Sequence, residues 1–150
     1  MAAIILQLAD AVTTALNAAT LSQSFAAVRS YIPVYGKQDE DADDLSTLTV
    51  AVVPSELAFT TEARNSDEFD YIIDIGIFKR VEPTNDVCDP LMQLVEEIAD
   101  LFRGDTVTAS LPARFVSATN APIYDQEMMR QQNIFAALIR LFFKKSRDKV

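Results

Sequence analysis

The chain has 150 residues, with 22 acidic against 13 basic side chains and a formal net charge of −9. That length reads as one domain, residues 1–150, large enough for a real hydrophobic core. The charge argues against gripping nucleic acid by neutralising phosphates, though DNA that must pass without sticking is still an admissible neighbour.

With a single cysteine, Cys88, there is no internal disulfide, and a reducing compartment is the default. The opening residues carry no basic stretch before Arg29 and hold Asp10 inside their apolar run, so they read as a helix and not as a signal peptide. No apolar run approaches the ~18–20 residues of a membrane span.

In that first helix Ile4, Ile5, Leu8, Val12, Ala15, Leu16 and Ala19 recur at three- and four-residue spacing. Gln7, Asp10, Thr13, Thr14 and Asn17 fall on the other side. Residues 24–32 alternate and stop at Pro33, which predicts a first strand. Residues 33–46 lose all periodicity and become acidic, with Asp39, Glu40, Asp41, Asp43 and Asp44; a connection of that length is usually functional or mobile.

Leu48, Val50 and Val52 alternate up to Pro54 as a second strand. Residues 55–67, which include Glu62 and Arg64, read as the long polar tip of an antiparallel hairpin. The return strand, residues 70–79, places Tyr71, Ile73, Ile75 and Ile77 on one face and Asp70, Ile72, Asp74, Gly76 and Phe78 on the other. The first face is continuously apolar and predicts core. The second is mixed, to be covered in part by solvent or by another subunit.

Asp89 and Pro90 look like the cap and first position of a second helix, with Leu91, Leu94, Val95, Ile98, Leu101 and Phe102 on its apolar side and Gly104 at its end. Residues 113–118 form a weaker strand. Residues 120–132 read as a turn with one helical turn after Asp125, and residues 134–143 as a strongly apolar last strand. Lys144 opens a basic run whose residues 145–150 read as a disordered tail. The order α-β-β-β-α-β-β gives a two-layer α+β domain, a mixed but mainly antiparallel sheet of about five strands with two helices packed on it.

The absence of histidine removes Ser-His-Asp and Cys-His catalysis and imidazole metal sites. Three scattered glycines, Gly36, Gly76 and Gly104, build no phosphate loop or dinucleotide fingerprint. Asp70 and Asp74 share a strand face and form a possible acid–base pair, although two such acids are more often solvated or salt-bridged. Asp39-x-Asp41-x-Asp43 begins like a calcium loop, but Asp44 stands where glycine is needed and Val50 where the closing glutamate should be. Gly76 marks a bulge or a close approach, and Phe25, Phe142 and Phe143 read as core rather than a base-stacking platform. No catalytic residue, metal ligand or cofactor is assigned.

Three strings stand out together: Asp70-Tyr-Ile-Ile-Asp-Ile-Gly-Ile-Phe-Lys-Arg80, Asp89-Pro-Leu-Met-Gln-Leu-Val-Glu-Glu-Ile-Ala-Asp100, and Pro122-Ile-Tyr-Asp125 followed by Phe135-Ala-Ala-Leu-Ile-Arg-Leu-Phe-Phe143. In that order they resemble small virion proteins of tailed bacteriophages, closest in role to the tail terminator or tail-completion family. The resemblance covers residues 21–144.

It implies a non-enzymatic subunit that forms a ring, a hexamer, on the end of the tail tube at the head–tail junction of the virion, after synthesis in the bacterial cytoplasm. Its partners would be further copies of itself, the tail tube protein and head connector proteins, with DNA passing the central hole unbound and no membrane involved. Asp39, Glu40, Asp41, Asp43, Asp44, Glu62 and Arg64 are the candidate assembly residues. The alternatives are another neck or minor tail component of the same fold, a cation-binding or regulatory module acting through the acidic loop, and a small carboxylate-dependent enzyme using Asp70 and Asp74.

Overall fold

The structure, a computed structural model, describes residues 3–31, 47–103, 111–120 and 124–148. The acidic stretch with Asp39, Glu40, Asp41, Asp43 and Asp44 lies outside them, as does Gly104.

Helix α1 (Ile4–Ala18) buries Leu8, Ala9, Val12 and Leu16, the stripe its spacing predicts. Its polar side is also used. Asn17 donates to the Ala27 carbonyl at 3.0 Å and accepts from the Ala27 N–H at 2.7 Å, so it satisfies both backbone groups of the residue that opens the short strand β1 (Ala27–Arg29). Arg29 then reaches back to Asp10 at 2.8 Å. β1 is shorter than the alternation suggested.

Strands β2 (Thr49–Ala63) and β3 (Ser66–Arg80) form one long hairpin around a tight turn at Arg64 and Asn65. The polar tip expected over residues 55–67 is therefore strand, paired almost to the turn through Phe59 with Phe69 and Thr61 with Asp67. Leu57, Phe59 and Thr61 alternate with Glu56, Ala58 and Thr60, a period of two that the polar composition of the stretch hides.

Helix α2 (Asn85–Leu101) starts earlier than Asp89 and carries Pro90 inside it. The N–H groups of Val87 and Cys88 both reach the Thr84 carbonyl, which closes a first turn ahead of the proline. The apolar stripe also begins there, because Cys88 packs on the core three residues before Leu91.

Strand β4 (Arg114–Thr119) precedes a third helix, α3 (Gln126–Gln132), fuller than the single turn expected after Asp125. Asp125 caps its start by accepting from the Met128 N–H, and Asn133, at φ 55° and ψ 40°, ends it in the left-handed conformation that asparagine tolerates. Strand β5 (Ile134–Asp148) runs five residues past Phe143, so the basic run is not a disordered tail as far as Asp148. Acidic residues early in β3 hold it: Lys144 lies opposite Asp70 and bonds Glu68 at 2.9 Å, and the Arg147 guanidinium sits 4.7 Å from the centre of the Phe69 ring.

The sheet has five strands in the order β1-β2-β3-β5-β4, with β1 parallel to β2 and all other pairs antiparallel. Helices α1 and α2 cover one face. Their apolar stripes meet Tyr71, Ile73, Ile75 and Ile77 of β3 and Ile139 and Leu141 of β5 in a single core. Met129 of α3 joins that core, whereas Met128 packs on a small second cluster of Phe78, Ile134 and Ala136 on the opposite face.

Candidate functional site

The face of the sheet away from α1 and α2 is the mixed face of β3, and its middle is organised by charge. Arg140 on β5 lies directly opposite Asp74 and holds it twice, Nε to Oδ1 at 2.9 Å and an Nη to Oδ2 at 3.1 Å. Asp74 is only 7% exposed, so this paired contact is what makes its burial tolerable. The guanidinium's pKa is raised by the hydrogen bond to Asp74 and then by the charge of that carboxylate, with a smaller contribution from Glu56.

Toward the hairpin tip Lys144 bonds Glu68 at 2.9 Å and stands 3.7 Å from Asp70. The Lys144 pKa is raised, chiefly by the Glu68 hydrogen bond and then by the charges of Asp70 and Glu68. At 3.7 Å the Asp70 contact is an ion pair too long for a hydrogen bond, and Asp70 Oδ1 is buried without one. A shallow hollow of about 310 Å³ opens on this side, lined among others by Glu56, Ala58, Asp70, Ile72, Phe142 and Lys144.

Asp70 and Asp74, the two acids sharing a strand face, are thus each matched with a cation from β5. Both oxygens of Asp74 are engaged by one guanidinium. Among the described residues no three cysteine, aspartate or glutamate side chains converge as metal ligands, and no helix is long and apolar enough to cross a membrane.

Gly76 sits in an unbroken ladder, so it is not a bulge. A Cβ built there would lie 2.5 and 2.7 Å from the Phe78 ring, which makes the glycine a seat for that aromatic.

The far half of the hairpin presents a different surface. Residues 55–61 of β2 are all exposed, including two large apolar side chains, Leu57 at 52% and Phe59 at 62%. They point to the helix-bearing side of the sheet but lie beyond the helices. Phe59 stacks on Phe69 at 5.3 Å, and Phe69 on Tyr71 at 6.2 Å, so the arm carries a row of rings running back into the core.

Of the candidate assembly residues, Arg64 is exposed at the hairpin turn and Glu62 belongs to β2 just before it. The fold brings these two to the end of a projecting arm. Leu57, Phe59, Arg114 and Arg140 were not singled out in the sequence. The first two could have been found from the alternation noted above, the arginines only from the pairing of strands.

A scan against protein-family models finds no match for the chain, and neither does a search of curated proteins.

Proposed function

We propose that this chain is a structural assembly protein of a tailed-bacteriophage virion, a tail terminator that caps the tail tube as a ring and joins tail to head. The observation that carries the reading is the arm of β2, β3 and β5, which projects past the helices with Leu57 and Phe59 exposed. A subunit that holds apolar surface out on strands has more to bury than its own core supplies. The cation-matched state of Asp70 and Asp74 supports an architectural use of the mixed face over proton transfer.

In this reading the partners are copies of the same chain, the tail tube protein below and head connector proteins above. The net charge of −9 repels phosphates, which suits a wall that DNA slides past without specific binding.

Electron microscopy of lysates from the parent phage lacking this gene tests the proposal. Overlong or headless tails are the expected result. Tails of normal length joined to heads would overturn it.

A further inference from the structure

We infer that copies of this chain join head to tail through their sheet edges, the free edge of β2 receiving β4 of the next copy as an antiparallel strand. The choice of a second copy as occupant rests on the ring reading above; the geometry comes from the two edges themselves.

Among the described residues the first edge is open past β1. β1 pairs with β2 only from Val50 to Val52, and the Ser30 N–H closes that pairing on the Val52 carbonyl. Among the described residues nothing pairs with this side of β2 beyond Val52. Pro54, two residues on, turns the same way as Val52, so its missing N–H faces this edge and interrupts no bond to β3. From Leu57 to Thr61 the strand has no proline and no charge; the incoming β4 uses Leu57 and Ala58 of that run and otherwise lies along residues 53–56, where Pro54 offers it no N–H.

The second edge stands at the same height. Reading straight across the sheet, Val53 is level with Asp74, Arg140 and Thr119, and Ala58 is level with Asp70, Lys144 and Arg114. β4 therefore spans the same rows as residues 53–58 of β2. Each stretch also contains one extra residue, Ser55 in β2 and Val116 in β4, so their lengths agree. Three antiparallel steps separate the two strands, which makes β4 of an identically oriented neighbour antiparallel to β2. No displacement along the strands is required, and such a head-to-tail repeat closes into a ring when its rotation divides a full turn.

The side chains agree with that register. The neighbour's Phe115 comes opposite the half-exposed Leu57 on the helix side. On the other face the neighbour's Arg114 comes opposite Ala58, one diagonal step from Glu56 and within reach of a long side chain. Glu56 and Arg114 are both exposed and neither is in a close ion pair among the described residues, although Glu56 lies near enough to Arg140 to help raise its pKa. β1 pairs with β2 as far as Val52 and the incoming β4 begins at the row of Val53, so Ser30 and the neighbour's Thr119 meet at that row and one of them must yield.

The test mixes two full-length variants at millimolar concentration, Ala58→Cys and Arg114→Cys, each also carrying Cys88→Ser. A flexible thiol cross-linker about 8 Å long spans the roughly 5 Å between directly opposed Cβ atoms. Cross-linked heterodimers are expected. No cross-link, or cross-links only between two Ala58→Cys chains, overturns the head-to-tail edge.

Charge reversal gives an independent reading, with circular dichroism to confirm folding. Glu56→Arg and Arg114→Glu should each weaken self-association about tenfold. Mixed together they should recover association and grow as the parent does, because every contact in an alternating array pairs opposite charges at positions 56 and 114; a mixture that associates no better than either variant alone counts against the proposal. Failed cross-linking alongside overlong tails in the deletion lysate sinks the edge geometry alone. Cross-linking alongside normal tails sinks the tail role alone.

Discussion

Arg140 and Asp74 face each other across β5 and β3 and share two hydrogen bonds, of 2.9 and 3.1 Å, on the face of the sheet that α1 and α2 leave uncovered. Arg140→Ala would leave a nearly buried carboxylate without its cation. Because the guanidinium is itself 40% exposed, the cost should fall below that of a fully buried pair, at about 2 kcal/mol. Replacing both residues by leucine should recover most of that loss, since the penalty comes from the orphaned charge. Urea unfolding of the single and double variants measures both, and a double variant no more stable than Arg140→Ala would refute the account.

Ile75 is fully buried at the centre of the main core, between Val52 and Ile139 on the neighbouring strands. Ile75→Ala should cost on the order of 2–5 kcal/mol, from lost transfer energy and an uncollapsed cavity. A near-neutral denaturation midpoint would mean that the two faces of β3 have been assigned the wrong way round.

Gly76→Ala tests the opposite face. The added methyl meets the Phe78 ring, which is 1% exposed and packed against Ile134, Ala136 and Met128. The ring must shift within its small cluster, at about 1–3 kcal/mol. Pairing the change with Phe78→Leu should reduce the loss; equal cost in both backgrounds would show that the ring is not the obstacle.

Leu57→Ser should behave in the reverse sense, changing association more than stability. Its side chain is 52% exposed, so the folded chain loses little, roughly 0.5 kcal/mol. Sedimentation should show weaker self-association while the melting temperature holds. A large drop in melting temperature would place Leu57 in the subunit's own core.

Acid sensitivity should appear where the connector after α1 meets α2. The Ser22 hydroxyl, and then the Ser22 backbone N–H, hold the Glu97 carboxyl below its ordinary value of 4.5. A carboxyl whose pKa is lowered by folding contributes stability above its unfolded value and loses it as pH falls through the folded one. The tie is therefore intact near neutrality and opens below about pH 4.5. In Ser22→Ala the Glu97 carboxyl should titrate higher, by NMR, than in the parent. An unchanged midpoint would remove Ser22 as the cause.

Local periodicity is legible from residues alone. Tyr71, Ile73, Ile75 and Ile77 share a face because a strand repeats every two residues, and Leu8, Val12 and Leu16 share one because a helix repeats about every 3.6. That logic yields α1, α2, the core of β3, five strands and the α+β class. It fails where short polar residues mask the alternation, as from Glu56 to Thr61. It also fails at Lys144, where a charged run is kept in a strand by acids some seventy-five residues earlier.

The sequence by itself determined which faces are apolar and which chemistries are absent, since both depend on residue type and near neighbours. The tertiary structure alone decided what the mixed face of β3 meets. Arg140 lies 66 residues from Asp74 and reaches it only through the register of β5 on β3. The same register sets residues 53–58 of β2 level with β4 across the sheet. Cross-strand partners are fixed by long-range pairing of backbone groups, to which every residue contributes alike, so residue order does not announce them.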